Sequence, residues 1–185
     1  VIGGGPCAVI ITCLFYGAIS GSAPATVAAV GAMTIPVMVN LGYSKEFSTA
    51  VVTVAGGLGC IIPPSIPFVL YSTSAGTSVG DMFIAGIVPG LLLGGLLMIY
   101  AVYYSARRGE DRVRIKAVMG ELRGQGFLRL FLDSFWALLT PVIILGSIYG
   151  GIATPTEAAV ISVYYALFVS VFIYKTIKVS EIPAV

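Results

Sequence analysis

Ser20, Gly21, Ser22 and Pro24 crowd the stretch GAISGSAPAT (17–26), and Pro63, Pro64, Ser65 and Pro67 crowd GCIIPPSIP (59–67). Glycine costs a helix interior roughly 1 kcal/mol relative to alanine and proline about 3, so each stretch should interrupt any helix that contains it. An interrupted helix frees backbone carbonyls. Together with the hydroxyls of Ser20, Ser22 and Ser65 these are hard oxygen donors. A donor set of that kind without a fixed carboxylate suits a monovalent cation such as Na⁺. The residues after each break open a new helix, whose N-terminus carries partial positive charge and suits an anionic group. Two breaks built from the same residue types read as one site. Thr26, Thr49, Thr53 and Tyr71 are further candidates for its lining, with packing an equal account of each, while Gly31, Gly86, Gly90, Gly94 and Gly95 read as helix-packing contacts.

Other chemistries find little support. The sequence has no histidine, which removes the commonest general base and the commonest metal ligand. A serine hydrolase using Ser20 or Ser22 would need a base beside the nucleophile, and none is placed for it. Cys7, Cys13 and Cys60 lack any C-x-x-C spacing and read as small buried hydrophobes. The net charge of +2 gives no basis for nucleic-acid binding.

The elements that position the two breaks are membrane helices. Of the 185 residues, 58% are hydrophobic and 10% charged, against about 25% charged in soluble domains, and the mean hydropathy is +1.02. Three spans stand out, at 83–105, 130–149 and 158–174, each near the ~20 residues needed to cross a bilayer. Ser78 and Asp81 mark the start of the first, and Pro89 is expected to bend it. Thr154-Pro155-Thr156-Glu157 is a helix-start signature for the third, which makes Glu157 a capping residue. Between the first two spans, residues 106–129 interleave seven arginines and lysines with valine, isoleucine and leucine, the pattern of an amphipathic helix on a membrane surface.

The positive-inside rule makes that linker cytoplasmic. If 46–75 crosses once as a broken helix, Lys45, the linker, Lys175 and Lys178 all fall on the cytoplasmic side, so all ten basic residues share it. Residues 7–39 admit two readings. One is a single long tilted helix with a kink. The other, preferred because the break is so central, is a re-entrant hairpin with arms 7–19 and 24–39 and GYSK (42–45) as the following turn. Non-helical backbone at membrane depth is tolerated where it lines a cavity, and broken helices are a recurring device of secondary transporters.

Tyr16–Ala23, Gly42-Tyr43, Gly59–Pro67, the stretch DMFIAGIVPG (81–90) and GIATPTEA (151–158) together resemble the large membrane subunit of the tripartite ATP-independent periplasmic (TRAP) transporters. The resemblance implies an all-α polytopic membrane protein: a re-entrant helical hairpin plus discontinuous and continuous transmembrane helices, one half of an inverted-repeat elevator-type transporter. It implies a transport-domain element at 1–76, a transmembrane helix at 77–105, the cytoplasmic linker at 106–129 and two scaffold or connecting helices at 130–185. It implies Na⁺-coupled uptake of an organic acid, of the sialic acid or C4-dicarboxylate type, across a bacterial inner membrane. The partners implied are a periplasmic substrate-binding protein, a small membrane subunit, separate or fused, and the second repeat of the large subunit. On this resemblance the Na⁺ ligands are oxygens of Ser20, Gly21, Ser22, Gly59, Ile61, Pro64 and Ser65, and substrate meets Ser22, Ala23 and Ser65. Neither break motif recurs here, so the chain is expected to be the first repeat of a larger subunit. An ion channel or a purely structural membrane subunit is the competing reading.

Overall fold

The computed structural model describes residues 3–108 and 127–176, the backbone alone at 127–133. The expected linker at 106–129 therefore lies outside the described residues except at its two ends, as does Lys178. The described residues are helical with turns between, and they form two compact units: α1 to α5, and α6 with α7.

In the first unit, α1 (Gly4–Ser20) and α2 (Ala23–Asn40) are separated only by Gly21 and Ser22. Gly21 adopts φ +62°, a left-handed conformation that glycine takes without a Cβ penalty, and its N–H donates to the Gly17 carbonyl at 2.8 Å. Ser22 is extended, and Pro24 occupies the first turn of α2, where its missing N–H costs nothing. A Cβ on Gly5 would lie 3.3–3.5 Å from Tyr43, Leu41 and Met38, so the start of α1 lies beside the end of α2. The chain folds back on itself, and the long kinked helix is not what forms. The arms have 17 and 18 residues, about 25 and 27 Å. Helix α1 begins before the expected residue 7 because the first turn of a helix accepts Pro6; otherwise the arms differ from the expected 7–19 and 24–39 by one residue at each end.

Ser44 caps α3 (Lys45–Gly56) by accepting from Phe47 N at 3.3 Å. The helix then tightens into a 3₁₀ turn (Gly57–Cys60), gives way to irregular backbone at 61–65 with a cis Pro63–Pro64 bond, and restarts as α4 (Ile66–Ala75). The proline-rich stretch thus interrupts 46–75 where the sequence places the break.

Helix α5 (Val79–Arg108) is continuous through Pro89, and Ser78 Oγ accepts from Asp81 N at 3.3 Å at its start. Its glycines meet the rest of the unit: Gly86 packs on Phe68, Gly90 on Ile62 and Gly94 on Leu14. Gly31 likewise packs on Val52. Gly95 departs from the expected packing role, because a Cβ there would meet nothing within 4 Å. The core between the helices is Cys13, Val30, Met38, Val52, Ala55 and Ala101. At one end Phe47 stacks on Tyr104 with ring centroids 3.8 Å apart. This brings the turn that carries Lys45 to the end of α5 that carries Arg107 and Arg108.

The second unit pairs α6 (Phe127–Tyr149) with α7 (Pro155–Phe168), which continues as a π-turn over Val169–Ile173. Tyr165 Oη donates to the Trp136 carbonyl at 2.8 Å, tying the two helices. Thr154 and Glu157 form the full reciprocal cap: Glu157 N donates to Thr154 Oγ1 at 3.4 Å and Thr154 N donates to Glu157 Oε2 at 2.7 Å. Thr154→Ala removes one half of that exchange. It is expected to speed hydrogen exchange of the first-turn amides of α7 about fivefold, read by mass spectrometry, and an unchanged rate would show the cap to be idle.

Among the described residues, three stretches are long and apolar enough to cross a membrane: α2, α5 and Pro155–Ile173. Helix α1 is shorter but equally apolar in character.

Candidate functional site

The two breaks, separated by about forty residues of sequence, are in direct contact. Ile66 N, at the start of α4, donates to the Gly21 carbonyl at 3.2 Å, and Ala23 N, at the start of α2, donates to Cys60 Sγ at 3.3 Å. The Pro64 carbonyl faces Gly21, where a Cβ would lie 2.8 Å from it. Gly17 and Gly59 meet back to back. A Cβ on Gly17 would fall 2.7 Å from Gly59 Cα, and one on Gly59 would fall 2.6 Å from Thr26 Oγ1 and 3.1 Å from the Ser22 carbonyl. Such a contact admits only hydrogen, which explains the residue type at both positions.

Oxygen atoms gather around Ser22. Its carbonyl accepts from Thr26 N at 3.0 Å, from Thr26 Oγ1 at 2.8 Å and from Ser20 Oγ at 3.3 Å. The Ser20 and Thr26 hydroxyls lie 3.0 Å apart, and Ser22 N donates to Ser20 Oγ at 3.3 Å. Thr26 is fully buried. Across the contact, Ser65 Oγ, also buried, donates to the Cys60 carbonyl at 2.6 Å and accepts from Phe68 N at 3.4 Å.

Ser22 differs from the other capping residues. Ser44, Ser65 and Thr154 each accept a bond from the backbone N–H three residues on, whereas Ser22, in the same extended geometry, makes no such bond. Its hydroxyl is therefore not spent on the helix it opens. The ends of α1 and of the 3₁₀ turn bring carbonyls to this place, and the starts of α2 and α4 bring two partial positive charges. One locus thus offers oxygen donors for a cation and helix N-termini for an anion. Among the described residues no group of three or more histidine, cysteine, aspartate or glutamate side chains could hold a metal, so what the locus offers is hard oxygen.

Of the residues the sequence singles out, Ser20, Gly21, Ser22, Ala23, Gly59, Pro64 and Ser65 lie at this contact. Ile61 does not join them in the same way. Its carbonyl points to α5, where a Cβ on Gly86 would be 2.6 Å from it. Thr26 belongs to the cluster. Thr49 and Thr53 bond to carbonyls one turn back on the exposed face of α3, and Tyr71 is 58% exposed on α4. Cys60, expected to be a small buried hydrophobe, is half-buried and accepts the first N–H of α2; Cys7 is half-buried as well, and only Cys13 is fully buried. The sequence signal for Cys60 is its place inside the break, where a side chain has freed N–H groups to meet.

A protein-family model described as "Tripartite ATP-independent periplasmic transporter, DctM component" matches residues 1–185. The isethionate TRAP transporter permease protein DctMQ of Oleidesulfovibrio alaskensis is 49% identical over 179 residues, which are 95% of this chain and 27% of that protein. The C4-dicarboxylate TRAP transporter large permease protein DctM of Pseudomonas aeruginosa is 45% identical over 183 residues, 99% of this chain and 42% of the relative. The ectoine TRAP transporter large permease protein TeaC of Halomonas elongata is 42% identical over 174 residues, 94% of this chain and 39% of that protein. The chain thus spans between 27% and 42% of the length of these relatives.

Proposed function

The chain belongs to the DctM component family of the tripartite ATP-independent periplasmic transporters, and from that premise we propose that it forms one half of a Na⁺-coupled permease for a small organic acid. The substrate reaches the permease from a periplasmic binding protein, and the permease works with a small membrane subunit and with the rest of the large subunit in a bacterial inner membrane. The names of the relatives span isethionate, C4-dicarboxylate and ectoine, so the class we propose is the organic acid, with C4-dicarboxylate and sialic acid types both within it. The observation that carries the reading is the contact of the two breaks. Oxygens of Ser20, Gly21, Ser22, Gly59, Pro64 and Ser65, with Thr26 added and Ile61 at the margin, are the proposed cation donors. The unused hydroxyl of Ser22 serves both the cation and the substrate, Ala23 and Ser65 face the substrate, and the helix N-termini favour its carboxylate.

In this proposal α1 and α2 form a re-entrant hairpin, and α1 to α4 move together as the transport element against a scaffold that begins with α5. Engineered cysteines at Gly4 and Asn40, both exposed, are expected to resist an impermeant maleimide added outside sealed right-side-out vesicles of the full-length protein. Labelling of one site and not the other would place the two ends of the hairpin on opposite sides and end the re-entrant reading.

The functional test is reconstitution of the full-length complex with its binding protein. Uptake should saturate with substrate and follow an imposed Na⁺ gradient. Flux indifferent to that gradient would favour a channel. Ser22→Ala is expected to raise the Na⁺ concentration for half-maximal uptake about tenfold, the loss of roughly one charge-assisted contact. Normal Na⁺ dependence in the purified variant would remove Ser22 from the site.

A further inference from the structure

Away from the two breaks, the outer face of α1, α3 and α5 carries a groove. Ile10, Val51, Val54, Leu97, Tyr100 and Ala101 line a cavity of about 110 Å³. Ile10 and Ala101 are buried at its base, and Val54 and Tyr100 stand 56% exposed at its rim. Its lining is almost wholly apolar, and a volume of this size accommodates a few methylene groups.

One end of the groove is cationic. Arg107 and Arg108 follow Tyr100 and Ala101 by seven residues, two helical turns, so they lie on the same face about 10 Å further along. The Arg107 guanidinium sits 5.4 Å from the centre of the Tyr103 ring, and that of Arg108 sits 5.2 Å from the centre of Tyr104. Tyr104 in turn stacks on Phe47, which also lines the groove. A guanidinium lying over a ring keeps its N–H edge free for a phosphate. Lys45 borders an adjoining depression that shares Ala50 and Val54 with the groove, and Glu46 is the carboxylate of that depression. Lys45, Arg107 and Arg108 against Glu46 leave a net charge of two positive.

We propose that this groove binds an anionic phospholipid, with one acyl chain between α3 and α5 and the phosphate among Arg107, Arg108 and Lys45. Charge selects the occupant. A zwitterionic lipid offers the same chain, but its ammonium offsets the phosphate. The basic end is the one that the positive-inside rule assigns to the cytoplasmic leaflet, and basic pockets between helices on that side fit anionic head groups. The proposal does not depend on Na⁺ coupling or on the transported substrate.

The test uses the full-length protein in mild detergent, offered equal amounts of phosphatidylglycerol and phosphatidylethanolamine, with bound lipid counted by native mass spectrometry. The wild type should retain phosphatidylglycerol preferentially. Arg107→Gln with Arg108→Gln should lower that retention about fivefold per charge removed, and Arg107→Lys with Arg108→Lys should restore most of it. Ala50→Phe fills the groove and leaves the basic cluster in place; it should abolish cross-linking of a photoreactive acyl chain to Val54 and Tyr100. Equal retention of the two lipids by the wild type would overturn the proposal. So would cross-links that avoid the groove, which would show another protein segment covering it.

Discussion

Gly59→Ala in the full-length protein is expected to lower Na⁺-dependent uptake by tenfold or more while the protein still reaches the membrane. The added methyl would sit 2.6 Å from Thr26 Oγ1 and 3.1 Å from the Ser22 carbonyl, with Gly17 Cα 3.4 Å away. None of these is the far end of a flexible chain, so the two breaks must separate. Overpacking of this kind costs roughly 1–3 kcal/mol, about a fivefold to hundredfold shift against the close-packed arrangement. The control is Gly95→Ala. It makes the same chemical change on a membrane helix, where the new methyl meets nothing within 4 Å, and uptake should be unchanged. Equal uptake by the two variants would mean that the contact between the breaks has no part in transport.

The second large effect is expected at Thr26. Thr26→Val keeps the shape and removes a hydroxyl that is fully buried and donates to the Ser22 carbonyl at 2.8 Å. Ser20 Oγ loses its 3.0 Å partner at the same time. The Ser22 carbonyl keeps Thr26 N at 3.0 Å and Ser20 Oγ at 3.3 Å, so the loss is that of one hydrogen bond, roughly 0.5–1.5 kcal/mol. The cost falls on the carbonyl and hydroxyl proposed to face Na⁺, so the Na⁺ concentration for half-maximal uptake should rise up to about tenfold. Thr26→Ser, which keeps the hydroxyl, should behave as the wild type. A valine variant with lower stability but unchanged Na⁺ dependence would reduce Thr26 to a packing residue.

What could be read from the sequence was local. Proline and glycine interrupt helices wherever they cluster, so both breaks were legible from helix propensity. Thr154 to Glu157 was legible because a capping box is complete within four residues. The membrane class followed from composition. What could not be read was tertiary. Nothing in the spacing of 17–26 and 59–67 says that Gly17 touches Gly59, or that the Ile61 carbonyl turns toward Gly86 on α5. Thr26 could not be told from Thr49 and Thr53, since all three are threonines on apolar helices and burial alone separates them. The first arm reaches back to Gly4 because a first helical turn tolerates glycine and Pro6, which nothing in the apolar pattern marks.

The hydrogen bond from Ile66 N to the Gly21 carbonyl has a bearing on how such a chain is made. At a synthesis rate of about 5–20 residues per second, residue 66 leaves the ribosome several seconds after residue 21. Through that interval the Gly21 carbonyl of the nascent hairpin lacks the donor that later completes its tip. Biogenesis of this region is then a two-step affair, in which an early half waits for a later half, and a translational pause between them would lengthen the wait.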